Sequence, residues 1–223
     1  MQGMRVVVSQ RVVDNQEYVE RRDALSQEWT TYLEMLIPGC VIVPMPNRLG
    51  SVNDWLKAIE PNLIILSNGN DWGKATCRDK TEEAVVKWAV EKKILLIGVC
   101  RGFQALNVIF GGAIEEDLNT VTSQNHVATT HVVRITQDAF LELTDFDEVD
   151  VNSFHNQGIS KATLAETMIP FAMAQDDVVE GFYSSEHNIL AVQWHPERAM
   201  SNNKFDHALL TKFIFEGAFW NEC

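Results

Sequence analysis

The run ILLIGVCRGFQALNVIFGG, Ile94 to Gly112, restricts what this chain can fold into more than any other stretch. Ile94 to Val99 is continuously apolar and short, the pattern of a strand buried on both faces of a sheet. Cys100 and Arg101-Gly102 follow at once, and the sequence then takes helical spacing until Gly111-Gly112 stops it. Cys100 therefore falls on a strand-to-helix corner, where the unpaired amides of the helix start favour negative charge. A sulfur at such a corner fits two readings: a small packed hydrophobe, or a nucleophile whose anionic form the helix start favours.

The segments before this corner alternate between strand and helix. Arg5 to Ser9, Cys40 to Val43 and Asn62 to Leu66 read as strands, and Val52 to Ile59 and Asp79 to Glu91 as helices, the latter turning Ala84, Val85, Trp88 and Ala89 inward. Glu17 to Leu36 has helical period, with Leu25, Trp29, Leu33 and Leu36 on one side and charge around them, and Pro38-Gly39 ends it. Such alternation predicts an α/β fold around a parallel sheet. After Gly112 the pattern changes to short strands and hairpins at His131 to Ile135, Val149 to Val151, Phe171 to Ala174, Val178 to Tyr183 and Ile189 to Trp194, closed by a helix from Lys204 to Phe219. We read residues 1–223 as one domain, a length that suits a single α/β core.

A net charge of −13 gives the chain a field that repels polyanions, so neither nucleic acid nor an anionic membrane surface is an expected partner. A small anionic substrate stays compatible, because a local arginine cluster can outweigh the net charge. Cys40, Cys77, Cys100 and Cys223 are widely spaced and form no CxxC pair, which argues against a disulfide framework and a zinc knuckle. With no long apolar leader at the amino terminus and no apolar run of spanning length, the expectation is a soluble, cytoplasmic protein.

Two further stretches bear on Cys100. Leu66 is followed by Ser67-Asn68-Gly69-Asn70-Asp71-Trp72-Gly73, a loop whose amides near Gly69, with that of Arg101, could hold an oxyanion beside the sulfur. The final strand runs ILAVQWHPE, so His195 and Glu197 stand two apart, and residues at that spacing in extended chain point the same way. The carboxylate can orient the imidazole, and the imidazole can take a proton from a thiol and return it to a leaving nitrogen. Nucleophile, base and oxyanion donors together make an acyl-transfer site, and that chemistry calls for no metal and no cofactor.

GVCRGFQALNVIFGG resembles the nucleophile elbow of class I glutamine amidotransferases and the related γ-glutamyl hydrolases, and WHPE resembles their His-x-Glu signature. The resemblance implies a flavodoxin-like fold, with a mostly parallel central sheet flanked by helices and additional short antiparallel strands. It implies a catalytic Cys100, His195 and Glu197, and by the likeness of LSNGND to an LSGGND loop, an oxyanion hole from the Gly69 and Arg101 amides, with Asn68 where that loop has its first glycine. Gln104 matches the glutamine of the elbow motif, which holds the γ-glutamyl group. VNSFHNQGI, with Asn152, Ser153, His155 and Gln157, resembles a segment that contacts the amino-acid end of the substrate.

The segment SQRVVDNQEYVERRDALSQEW is similar to its counterpart in γ-glutamyl-CDP-amidate hydrolases of capsule phosphoramidate synthesis. That likeness implies a γ-glutamyl substrate joined through nitrogen to cytidine diphosphate. Arg11, Arg21, Arg22, Arg78, Arg101 and Arg198 are then the candidates for the diphosphate, Arg11 first because it follows a strand end. The alternatives within the family are a γ-glutamyl-aminobutyrate hydrolase and a glutaminase feeding a synthetase. A regulatory binding module on the same scaffold is the non-enzymatic alternative, and it would not need the sulfur, imidazole and carboxylate to be kept together.

Overall fold

Val6, Val7 and Val8 are all fully buried, yet they serve two cores: Val6 and Val8 belong to one apolar cluster and Val7 to the other. This is the period-two signature of a strand covered on both faces. They lie in β1 (Arg5–Ser9) of the computed structural model, which describes residues 3–120, 122, 126–198 and 204–221. Cys223 lies outside the described residues.

The chain continues through β2 (Arg11–Asp14), β3 (Arg21–Ala24), α1 (Gln27–Leu36), β4 (Val41–Met45), α2 (Val52–Ile59), β5 (Leu63–Leu66), α3 (Thr76–Lys92), β6 (Leu95–Val99) and α4 (Arg101–Ile109). Then come β7 (Thr129–Ile135), α5 (Asp138–Leu141), β8 (Glu148–Ser153), β9 (Ile159–Ser160), β10 (Met168–Ala174), β11 (Val178–Ser184), β12 (Ile189–Val192) and α6 (Lys204–Glu216). The large sheet has the order β4-β1-β5-β6-β12-β11-β10-β7-β8, with β9 added to β11. Its first five strands are parallel, and the antiparallel strands of the second half extend the same sheet from β12 outward. Helices cover both faces: Trp29 and Leu33 of α1 share a core with Leu209 and Phe213 of α6, while Leu56, Val85 and Leu106 of α2, α3 and α4 fill the other. Among the described residues no helix is long and apolar enough to cross a membrane.

The expected helix from Glu17 is corrected. Its first half holds β3, the second arm of a hairpin whose first arm, β2, precedes Glu17, and α1 begins only at Gln27. Of the apolar residues that suggested a longer helix, Trp29, Leu33 and Leu36 lie within α1, where Tyr32 joins their buried face, whereas Leu25 precedes it, and Ser26 caps the helix start by accepting from the Glu28 amide. Before that point the charges pair within the hairpin: Arg21 with Asp14 of the facing strand at 2.8 Å, and Arg22 with its near neighbour Glu20 at 2.6 Å. Asp23 accepts from the Asn47 amide at 2.9 Å and its side chain at 2.8 Å, which ties β3 to the loop after β4.

The parallel arrangement decides where chemistry can happen. The carboxyl ends of β1, β5, β6 and β12 open on one edge of the sheet, so Arg11, the Asn68-Gly69 loop, Cys100 and His195 emerge side by side.

Candidate active site

Cys100 has φ 53° and ψ −103°, a conformation that costs a residue with a side chain about 1–3 kcal/mol. The corner is held by the Cys100 amide donating to the Val192 carbonyl at 2.9 Å and the Gln104 amide donating to the Cys100 carbonyl at 3.1 Å. Gly102 is what lets α4 start so close to β5: a Cβ there would stand 1.9 Å from the Leu66 carbonyl oxygen. The strain aims the sulfur out of the sheet edge at the start of the helix.

His195 Nδ1 lies 2.8 Å from Glu197 Oε1, and the ring lines the same cavity as Cys100, close enough for the two groups to interact electrostatically. Burial pulls the imidazole pKa down, but the negative charge of Cys100 and the hydrogen bonds to Cys100 and Glu197 outweigh it and hold the group at about 9. His195 is thus poised to be an imidazolium beside sulfur at neutral pH. Asn68 Nδ2 donates to Glu197 Oε1 at 2.8 Å and lies 3.1 Å from His195 Nδ1, while its Oδ1 accepts from Arg11 at 3.3 Å. The residue standing where the LSGGND pattern has glycine therefore joins the carboxylate end of the site.

The loop that carries Gly69 is fixed from below. Arg78 of α3 is fully buried and donates to the carbonyls of Ser67, Asn68 and Gly69 at 2.7, 3.0 and 2.7 Å, with Glu82 at 2.9 Å on its other side. Burial lowers its pKa to about 10, countered by Asp79 and Cys100, so it stays charged at neutral pH. Arg101 turns its guanidinium back to Asp79 and Glu82, and its pKa is lowered to about 9 by burial and by the charge of Arg78, with Asp79 opposing. Its backbone amide and that of Gly69 are the two expected oxyanion donors. None of the described residues accepts a hydrogen bond from either.

Cys100, His195, Gly69, Arg101, Gln104, Arg11 and His155 all line one open cavity of about 450 Å³, a size usual for small-molecule sites. Glu197 stands behind His195. Asn152 and Ser153 are not among the residues that line the cavity and are buried beside it. Asn152 clamps the backbone of His195, donating to its carbonyl at 2.8 Å and accepting from its amide at 2.9 Å, and Ser153 donates to the His126 carbonyl at 2.6 Å. Both side chains are used on backbone groups, so the structure sets them apart from the residues of VNSFHNQGI that line the cavity.

Of the arginines, Arg78 is enclosed and Arg21 and Arg22 face acidic partners on the exposed hairpin, so none of these three reaches the cavity. Arg11 and Arg198 line it, as does Lys74, which sequence reasoning did not single out. Arg198 stacks over Phe154 at 4.3 Å. The role of Arg78 also escaped the sequence, although a buried-face arginine four residues before Glu82 was a readable pair.

Residues 14–197 match the model of the peptidase C26 family. This chain belongs to that family. It is 30% identical over 210 residues to a putative glutamine amidotransferase of Schizosaccharomyces pombe, covering 82% of this chain and 79% of that protein. The gamma-glutamyl-CDP-amidate hydrolase of Campylobacter jejuni is 28% identical over 204 residues, covering 87% and 90%, and the gamma-glutamyl-gamma-aminobutyrate hydrolase PuuD of Escherichia coli 28% over 201 residues, covering 83% and 73%. The match to the putative glutamine amidotransferase-like protein YvdE of Lactococcus lactis, 37% over 147 residues, takes in 62% of this chain and only 59% of that relative's length. In fold, the chain resembles a glutamine amidotransferase of Thermotoga maritima, with a TM-score of 0.61 at 15% identity over 96% of this chain and 85% of that one.

Proposed function

We propose that this C26-family protein hydrolyses a γ-glutamyl amide through a thioester on Cys100, and that the leaving nitrogen belongs to a phosphoramidate of cytidine diphosphate. The single observation that carries the chemistry is the convergence of Cys100, His195 and Glu197 at the base of one cavity, with the sulfur on a strained corner. The thiolate attacks the γ-carbonyl carbon, and the amides of Gly69 and Arg101 receive the charge on oxygen. As the carbon–nitrogen bond breaks, the His195 imidazolium gives its proton to the leaving nitrogen. The now neutral imidazole takes a proton from water, the resulting hydroxide attacks the thioester, and glutamate departs as the thiolate re-forms. Glu197 keeps the ring oriented throughout, and Gln104, which donates to the Gln157 carbonyl and to Gln193 at 3.1 Å each, lies where it can meet the glutamyl end.

The choice of leaving group rests on charge. In a chain of net charge −13, Arg11, Lys74 and Arg198 all face the cavity and outnumber its carboxylates, Asp71 and Glu116, a cation excess suited to a diphosphate. The γ-glutamyl hydrolases among the relatives support the acyl group and leave the amine open. The test is to incubate the purified protein separately with CDP-glutamine, glutamine and γ-glutamyl-aminobutyrate and to measure glutamate. The proposal expects CDP-glutamine to be hydrolysed with the highest kcat/KM. A preference for glutamine or for the aminobutyrate conjugate would overturn the leaving-group assignment.

A further inference from the structure

Beside the active-site cavity, a second set of titratable side chains is sealed inside the antiparallel half of the sheet. Three imidazole nitrogens point at one carboxylate oxygen: His126 Nδ1 at 3.4 Å, His131 Nε2 at 3.5 Å and His155 Nε2 at 3.5 Å from Glu180 Oε1. All four side chains are almost wholly buried. His126 precedes β7, His131 is in β7, His155 follows β8 and Glu180 is in β11, so segments far apart in sequence meet at this point.

Hydrogen bonds do not account for the arrangement. His126 Nε2 lies 3.0 Å from Asp176 Oδ2 and His155 Nδ1 lies 3.0 Å from the Gln157 carbonyl oxygen. Each of those partners is an acceptor, so each ring carries a proton on that side, and in a neutral ring the nitrogen facing Glu180 then presents a lone pair. A second proton on one ring would pair it with the carboxylate, but three charged rings around a single carboxylate would repel one another, so lone pairs still face the oxygen. Lone pairs so directed repel it unless a cation lies between them. Accordingly, His126 Nδ1, both nitrogens of His131, His155 Nε2 and both oxygens of Glu180 have no hydrogen-bond partner, although each is buried. Orphaned polar atoms in such a group require an explanation.

We propose that this cluster binds one divalent transition-metal ion, zinc in the first instance, through His126 Nδ1, His131 Nε2 and Glu180 Oε1, with His155 Nε2 as the fourth donor. Imidazole and carboxylate donors suit zinc, and bonds of about 2.0–2.1 Å in a tetrahedral site put neighbouring donor atoms about 3.3–3.4 Å apart. The three nitrogen-to-oxygen separations, 3.4–3.5 Å, are within about 0.2 Å of that length. The donor atoms of His126, His131 and Glu180 lie within 4.8 Å of one another, so these three groups draw together by about 1 Å on binding, and His155, which stands outside that trio, moves further to close the tetrahedron. The outer contacts are those a metal site needs: Asp176 and the Gln157 carbonyl fix the tautomers of His126 and His155 and turn the free nitrogens inward. The ion takes no part in the thiol chemistry. It pins β7, β8 and β11 together behind the cavity wall that His155 contributes.

The experiment loads the full chain and its Cys100→Ala variant with zinc, removes loosely held metal by passage over a chelating resin, and measures metal and protein by mass spectrometry. The proposal expects about one zinc per chain in both proteins, and less than about a fifth of that in Glu180→Gln and in a His126→Ala/His131→Ala double variant. Cobalt(II) in place of zinc should give the visible bands of a nitrogen- and oxygen-ligated ion without thiolate charge transfer. Wild-type protein that retains less than about a fifth of an equivalent would overturn the proposal. So would undiminished metal in a folded double variant, or a cobalt spectrum with a thiolate band that vanishes in Cys100→Ala. If the variants do not fold, the wild-type stoichiometry and the cobalt spectrum decide.

Discussion

Arg78→Lys retains the charge at the centre of the site's support and removes the fork. In the native chain one planar group reaches three consecutive carbonyls, Ser67, Asn68 and Gly69, at 2.7–3.0 Å and Glu82 at 2.9 Å. An ammonium is a point donor that cannot span them. With Glu82 keeping one of its three hydrogens, two remain for three carbonyls, so at least one carbonyl is left buried and unpaired and the loss of stability is about 1–3 kcal/mol. For a chain of this size that corresponds to a fall in Tm of about 2–12 °C. Urea unfolding followed by tryptophan fluorescence measures it directly. Because the same loop presents the Gly69 amide, kcat should fall by about 10²–10³, the worth of one misplaced oxyanion donor, with KM changing much less. A variant within about 0.5 kcal/mol of wild type and within about twofold in kcat would refute the reasoning, since a surface-like substitution does no more.

The raised pKa of His195 sets an alkaline limb: the imidazolium is complete below its ordinary value of 6.5 and is lost as pH rises through about 9, so kcat/KM and the stability contributed by this pairing both decline over that interval. Glu197→Gln removes part of what holds the proton, and its pH–rate profile should show the limb at lower pH; an unmoved limb would contradict the pairing. Asn152→Ala strips partners from the buried amide and carbonyl of His195, so it should lower kcat and cost about 2–5 kcal/mol in unfolding experiments while leaving KM near wild type. A rise in KM alone would instead make Asn152 a substrate contact. Gly102→Ala forces a methyl group against the Leu66 carbonyl and should destabilise by about 1–3 kcal/mol or more, read from the denaturation midpoint.

The parallel half of the fold was legible because its strands are short, apolar and bounded by breakers, and the strand-helix corner at Cys100 could be read from a few residues. The hairpin before α1 was not. Its stability comes from pairs such as Arg21 with Asp14 and from Asp23 gripping Asn47, contacts without a local period, and the charged residues mimicked the polar side of a helix. The reach of α3 into the site was hidden for a related reason: its first turns bury Arg78, Asp79 and Glu82, so the apolar face marked by Val85, Trp88 and Ala89 begins only after the residues that support the site. At the site, residue types at strand ends pointed to sulfur, imidazole and carboxylate. The sequence did not separate side chains that face the cavity from those, like Asn152 and Ser153, that turn back to support the backbone. That distinction depends on which way a strand's last residues are rolled, and the roll is set by partners 43 and 27 positions away.

The central claim is a covalent glutamyl intermediate on one sulfur. Mixing the protein with the γ-glutamyl substrate it turns over, quenching in acid within the first turnovers and mapping the digest by mass spectrometry should place a glutamyl adduct on the peptide containing Cys100. The Cys100→Ala variant, folded by circular dichroism, should show neither adduct nor turnover. An adduct on another residue, or glutamate release by Cys100→Ala at the wild-type rate, would contradict the account.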